Sequence, residues 1–110
     1  MSYQHKGLAA GRWAQLSFLE QMANIGSEVS RFINWKNKNN AINSTAAFER
    51  ALELMDLTME DPGNRSRLKE LARLREAFVD FGIGLNQYSS TDTSWMNYFS
   101  CFAYAARRDR

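Results

Sequence analysis

Apolar residues recur along this chain at helical spacing in four blocks. In the first, Phe18, Met22, Ile25, Val29 and Phe32 follow one another at intervals of four, three, four and three, and Leu19 and Ile33 widen the row. That rhythm keeps one face of an α-helix continuously apolar. The quartet Ser17-Phe18-Leu19-Glu20 reads as a capping box, in which the Ser17 hydroxyl accepts a free amide of the first turn and Glu20 reaches back to the cap. Lys36-Asn37-Lys38-Asn39-Asn40 closes the block, with cations suited to the negative end of the helix dipole and asparagines suited to a loop.

The second helix is predicted to start near Asn43 or Ser44 and to carry Phe48, Leu52, Met55 and Met59 as its row, with Ala47, Ala51 and Leu54 beside it. Asp61-Pro62-Gly63-Asn64 stops it, because proline cannot continue a helix but suits the first position of a new one, with Asp61 or Asn64 as the cap. The third helix is predicted over about Pro62 to Phe81, with Leu71, Leu74, Phe78 and Phe81 as its row, Leu68 and Val79 flanking, and Gly82 and Gly84 ending it in a left-handed cap. The fourth follows Ser89-Ser90-Thr91-Asp92, capped by Ser90 or Thr91, with Trp95, Phe99, Phe102 and Ala106 as its stripe and Tyr98 and Ala103 behind. Four amphipathic helices with short connections predict an all-α fold, an antiparallel four-helix bundle over residues 17–110 behind a flexible N-terminal segment, 1–16.

Composition narrows the function more than the fold. The chain has 110 residues, 45% hydrophobic and 24% charged, the size and makeup of one globular domain. Aromatic residues reach 13%, and a bundle this small has too little interior to hide every apolar stripe, so surplus apolar surface is expected to drive self-association. One cysteine and one histidine remove most metal and nucleophile chemistry, and no phosphate loop, zinc spacing or dinucleotide fingerprint is present. No enzyme, cofactor or metal is expected. Cys101, alone and therefore without an internal disulfide, is expected to be a buried small hydrophobe. No apolar run is long enough to span a membrane and the N-terminus lacks the apolar core of a signal peptide, which points to a cytoplasmic protein without membrane contact.

Three groups of residues are candidates for recognition. Glu49, Glu53, Asp56 and Glu60 form an acidic row on the second helix, and Arg65, Arg67, Lys69, Arg73 and Arg75 lie on the third. In an antiparallel pair Glu60 falls near Arg65 and Glu53 near Arg73, as register-setting ion pairs. Left unquenched, the same cations, joined by Arg12, Lys36, Lys38, Arg107, Arg108 and Arg110, form a surface suited to phosphates, so RNA is a candidate partner although the net charge is only +2. The segment Asn24 to Arg31 sets Gly26 inside a helix, at a cost of roughly 1 kcal/mol relative to alanine, which points to the close approach of a neighbouring helix. Asn24, Ser27, Glu28 and Arg31 around it read either as polar glue between helices or as a docking surface. Trp13, Trp35 and Trp95, each near a helix end, read either as covers of the core or as anchors at an interface.

The phrases Glu20-Gln21-Met22-Ala23-Asn24-Ile25-Gly26-Ser27-Glu28-Val29, Ala47-Phe48-Glu49-Arg50-Ala51-Leu52-Glu53-Leu54 and Arg67-Leu68-Lys69-Glu70-Leu71 resemble a widespread family of small prokaryotic four-helix-bundle proteins of uncharacterised activity. In architecture the chain also resembles two better-known groups. One comprises bundle proteins encoded in intervening sequences of ribosomal RNA genes, whose Asn-Ile-Ala tripeptide is similar to Asn24-Ile25-Gly26; where that group has a serine-proline element, this chain has Gln21-Met22-Ala23. The other is the accessory variability protein of diversity-generating retroelements. These resemblances imply cylindrical homo-oligomers and, for the second, non-enzymatic work beside a reverse transcriptase and its RNA. The combined expectation is a non-enzymatic, self-associating adaptor for a protein partner, RNA or both. The alternative is a structural or regulatory protein–protein module without nucleic acid.

Overall fold

A computed structural model describes residues 11–108. Its regular elements are α1 (Phe18–Asn37), α2 (Ala41–Glu60), a 3-10 turn (Pro62–Arg67), α3 (Leu68–Ile83) and α4 (Asp92–Arg108), and no strand occurs among the described residues. The fold is all-α. Of the segment expected to be flexible, 1–16, residues 1–10 lie outside the described residues; residues 11–14 form a helical turn whose Trp13 is buried.

The caps explain the boundaries. Ser17 and Glu20 close the expected capping box, with the Ser17 hydroxyl accepting from the Glu20 amide at 3.1 Å and the Glu20 carboxylate accepting from the Ser17 amide at 3.0 Å. Asn39 ends α1 with φ at 58°, a left-handed turn that asparagine tolerates better than most side chains. Its neighbour Asn40 then caps α2 through the Asn43 amide, so α2 starts at Ala41, earlier than the Asn43 or Ser44 start that the sequence pattern gives. Thr91 caps α4: its hydroxyl accepts from the Ser94 amide while the Ser94 hydroxyl accepts from the Thr91 amide, both at 3.0 Å.

The start of the third helix is the main departure. Pro62 begins a 3-10 turn with Asp61 accepting from the Gly63 amide, and α3 proper begins only at Leu68. The α-helix thus starts six residues later than the Pro62 start that the sequence pattern gives. Arg75 of α3 pairs with Asp56 of α2 at 2.7 Å, in a different register from the expected Glu53–Arg73 and Glu60–Arg65. Gly84 has φ at −92° and no described glycine takes a positive φ, so the left-handed glycine cap expected for α3 is not formed.

Helix α1 packs most extensively against α2 and α4, and α3 lies against α2. Met22, Ile25 and Val29 of α1, Ala47, Ala51 and Met55 of α2, and Phe78 of α3 are fully buried or nearly so. Burying a side chain of the larger kinds contributes about 1.5–3 kcal/mol each. Phe32, Phe48, Phe78, Phe81, Trp95, Phe99, Tyr98 and Phe102 form a continuous series of aromatic contacts across all four helices, with centroids 4.8–6.4 Å apart. Two glycines are required by close approach. A Cβ on Gly26 would lie 2.7 Å from the Phe99 Cβ of α4, and one on Gly82 would lie 2.1 Å from the Phe48 ring of α2. The tight crossing expected at Gly26 is thus the α1–α4 contact.

Gly26→Leu is expected to destabilise the chain by about 1–3 kcal/mol or more, through overpacking against Phe99. Gly11→Ala, which meets nothing within 4 Å, is expected to be near neutral. Urea denaturation followed by circular dichroism checks both.

Candidate functional site

The site begins with a buried carboxamide. Gln21 is fully buried one turn into α1, and both of its N–H donors and its carbonyl oxygen are used. Its Nε2 donates to the Trp13 carbonyl at 2.9 Å and to Asp61 Oδ2 at 2.8 Å, while its Oε1 accepts from Asn64 Nδ2 at 2.7 Å. Asn64 spends its second N–H on the Thr58 carbonyl at 2.9 Å, and the Trp13 indole N–H donates to Thr58 Oγ1 at 2.9 Å. The network ties residues 11–14, the end of α2 and the 3-10 turn to the start of α1.

That knot brings together cations that are far apart in sequence. Arg65 and Arg67 leave the 3-10 turn exposed, and Arg12 is exposed beside buried Trp13. The Arg67 guanidinium lies 4.2 Å over the Phe18 ring, which meets Phe102 of α4 edge to face at 6.1 Å. The last turn of α4 therefore reaches the same pole, where Arg107 lines a shallow hollow with Leu16, Glu20 and Asn24, followed by exposed Arg108. Lys69 and Arg73 continue the exposed basic surface along α3.

The remaining cations are placed differently from the single surface that the sequence suggests. Lys36 and Lys38 lie at the other end of α1, about 30 Å away at 1.5 Å per residue over 20 residues. Lys36 donates to Asp92 Oδ1 at 3.0 Å and sits 4.3 Å over the Phe81 ring, and Lys38 stands 5.3 Å over Trp35. Arg75 is taken up by Asp56. Lys36 and Arg75 are thus engaged inside the chain, because carboxylates and rings of neighbouring helices face them. In the acidic row, burial and then the adjacent Glu49 carboxylate push the Glu53 carboxyl above its ordinary value.

The interface candidates also divide. Trp13 belongs to the chain's own core, and Trp95, only 5% exposed, stacks with Phe99 and meets Phe78 and Phe81. Trp35 is half-buried. Glu28, 6% exposed, holds Arg31 of its own helix and Arg50 of α2, so it is a cross-helix link rather than an exposed contact. Asn24 and Ser27 bond back to carbonyls of their own helix. Between α1 and α4 runs an open groove of about 540 Å³ lined by Gly26, Ser27, Ser30, Arg31, Met96 and Ser100 among others. Cys101, expected to be buried, is exposed on α4, because the apolar stripe of that helix turns Phe99 and Phe102 inward and leaves position 101 outside.

Sequence reasoning assigned no role to Gln21 or Thr58 and read Asn64 only as a possible helix cap. The signal available for Gln21 was a polar residue directly beside Met22 on the apolar side of α1. Among the described residues no group of three or more histidine, cysteine, aspartate or glutamate side chains is arranged to hold a metal ion, and no helix is long and apolar enough to cross a membrane. No protein-family model, curated protein or solved structure matches the chain.

Asp92 ties α4 to the end of α1. Burial alone would raise its pKa, but hydrogen bonds from Lys36 and Asn37 outweigh it and hold the carboxyl below its ordinary value of 3.8. A depressed folded-state pKa contributes stability above the unfolded value, and that contribution is lost as pH falls through the folded value. Because the pair is more than one-third exposed, its contribution is at most about 1 kcal/mol. Asp92→Asn is expected to lower stability slightly at pH 7 and to flatten its fall below about pH 4 relative to wild type, measured by urea titrations between pH 2.5 and 7.

Proposed function

We propose that the chain is a non-catalytic adaptor whose four helices act as an antiparallel bundle, which self-associates and uses exposed cations to hold a partner rich in phosphate, RNA being the leading candidate. The observation that carries this reading is the convergence of Arg12, Arg65, Arg67, Arg107 and Arg108 from three separate segments onto one pole, with Lys69 and Arg73 extending it along α3. Guanidinium groups suit phosphate because they present a fork of donors, and stacking on rings, as with Arg67 on Phe18, holds the fork in place. By the architectural resemblance to accessory variability proteins, the sharpest form of this reading is a cytoplasmic accessory of a diversity-generating reverse transcriptase, contacting that enzyme and its RNA.

A second reading has its own support. Arg75 pairs with Asp56, Lys36 with Asp92, and Arg31 and Arg50 share Glu28. A chain that uses its cations to fix helix orientation fits a structural or regulatory protein–protein module without nucleic acid.

Charge reversal separates the two. For the RNA adaptor, affinity for single-stranded RNA is expected to fall steeply between 50 and 200 mM salt, with a slope near −0.7 per phosphate contacted. Arg65→Glu, Lys69→Glu and Arg73→Glu together are expected to remove that binding by tenfold or more while leaving the melting temperature within a few degrees. No RNA binding at 50 mM salt, or a loss of stability in place of binding, supports the module without nucleic acid. Fluorescence anisotropy and thermal melts read the two quantities.

A further inference from the structure

We propose that the α1–α4 groove receives the Ile83–Leu85 loop of a second copy of this chain, with the two copies exchanging loop and groove about a two-fold axis. The inference rests on the self-association in the proposed function and specifies which surfaces meet.

The loop is built to stand firm in water. Ile83 is 73% and Leu85 86% exposed, yet the backbone that follows them is held by side chains. The Asp80 carboxylate accepts from the Gln87 amide at 2.8 Å and from the Tyr88 amide at 3.1 Å, and the Asn86 side chain both accepts from and donates to Ser90 at 2.9 Å. Tyr88 donates its hydroxyl to Glu76 at 2.8 Å. Asn86 and Ser89 take positive φ values of 55°, a conformation that persists only where the surroundings hold it. A loop fixed in this way presents its two aliphatic side chains with little ordering cost on binding.

The groove is the complement. Its walls are low because α1 contributes Gly26, Ser27 and Ser30 and α4 contributes Ser100 and Ala103, while Met96 gives it an apolar end. Trp95 forms part of its lining, is 5% exposed, and has an indole N–H without a hydrogen-bond partner among the described residues.

Charge selects the occupant. One Glu28 carboxylate serves two guanidiniums, Arg31 and Arg50, so this cluster keeps a net positive charge, and Arg31 stands 60% exposed at the groove. The loop carries the opposite sign, with the Glu76 and Asp80 carboxylates at its base. A second copy thus supplies an apolar knob with acidic flanks for an apolar groove with a basic edge. The knob lies on the connection between α3 and α4, and α4 forms one groove wall, so a two-fold axis would set each copy's knob against the other's groove.

The test uses the full chain in size-exclusion chromatography with light scattering. Wild type is expected to be dimeric. Leu85→Asp removes the knob and Ser100→Trp fills the groove; each is expected to be monomeric with unchanged helical circular dichroism. Ser27→Trp replaces Ser100→Trp should the latter lose its helical signal. A one-to-one mixture of the knob and groove variants retains one intact knob and one intact groove between them and is expected to form a heterodimer at least tenfold weaker than wild type. A monomeric wild type overturns both this inference and the self-association beneath it. Wild-type association that either variant leaves unchanged overturns this inference alone, as does a one-to-one mixture that associates as tightly as wild type.

Discussion

A carboxamide that cannot reach water organises one end of this molecule. Gln21 is fully buried, and an unsatisfied amide there would cost about 1–3 kcal/mol, so its neighbours are obliged to supply partners. They come from three directions: the Trp13 carbonyl, the Asp61 carboxylate and the Asn64 carboxamide. Each of these is fixed in turn. Asn64 needs the Thr58 carbonyl, the Trp13 indole needs the Thr58 hydroxyl, and Asp61 accepts from the Gly63 amide. Such a network tolerates one arrangement, because displacing any member strands another. The placement of Arg12, Arg65 and Arg67 at a common pole is a consequence of satisfying Gln21, since all three are next to or one turn from members of the network.

The other end is organised by aromatic packing and tolerates looser polar contacts. Phe32 of α1 touches Phe48, Phe78 and Phe81, and the series runs on through Trp95 to Phe99 and Phe102. Bulky rings hold α3 at a distance, so α3 makes fewer close backbone approaches than α4 does at Gly26. Lys36 is placed over Phe81 and against Asp92, where it bridges α1 to both α3 and the start of α4. Ion pairs of this exposure add little energy. Their effect is on direction, because a wrong rotation of α4 would separate Asp92 from Lys36 and Asn37 together.

Most of the helical layout was legible in the sequence, because a period near 3.6 and a capping box are local signals. Ser17 with Glu20 fixed the start of α1, and the row Phe18, Met22, Ile25, Val29 and Phe32 fixed its inward face. What escaped was set by tertiary context. Pro62 reads equally well as the start of an α-helix or a 3-10 turn, and the choice depends on Asn64 reaching Gln21, 43 residues away. That choice moved the start of α3 to Leu68, and its ion pair with α2 falls in another register. Gly82 read as a helix terminator because glycine after an apolar row usually is one; its real constraint is the Phe48 ring of another helix. For the candidate site, the list of basic residues was legible, but their division was not. A sequence shows that Lys36, Arg75 and Arg67 are cations without showing that Asp92, Asp56 and the Phe18 ring face them.

That division bears on how a chain of net charge +2 can present a charged face at all. Opposite charges a few ångströms apart cancel beyond a Debye length of about 8 Å, so Arg75 with Asp56 and Lys36 with Asp92 contribute almost nothing to the distant field. Glu28 does the opposite: one buried carboxylate between Arg31 and Arg50 leaves a positive remainder while both guanidiniums stay at the surface. The redundancy also protects the fold, since a buried carboxylate with two cationic partners is never left alone by the movement of one. Internal pairing therefore decides which cations remain for an external partner, and the arginines set around the Gln21 network are the ones for which the fold brings several together at the surface.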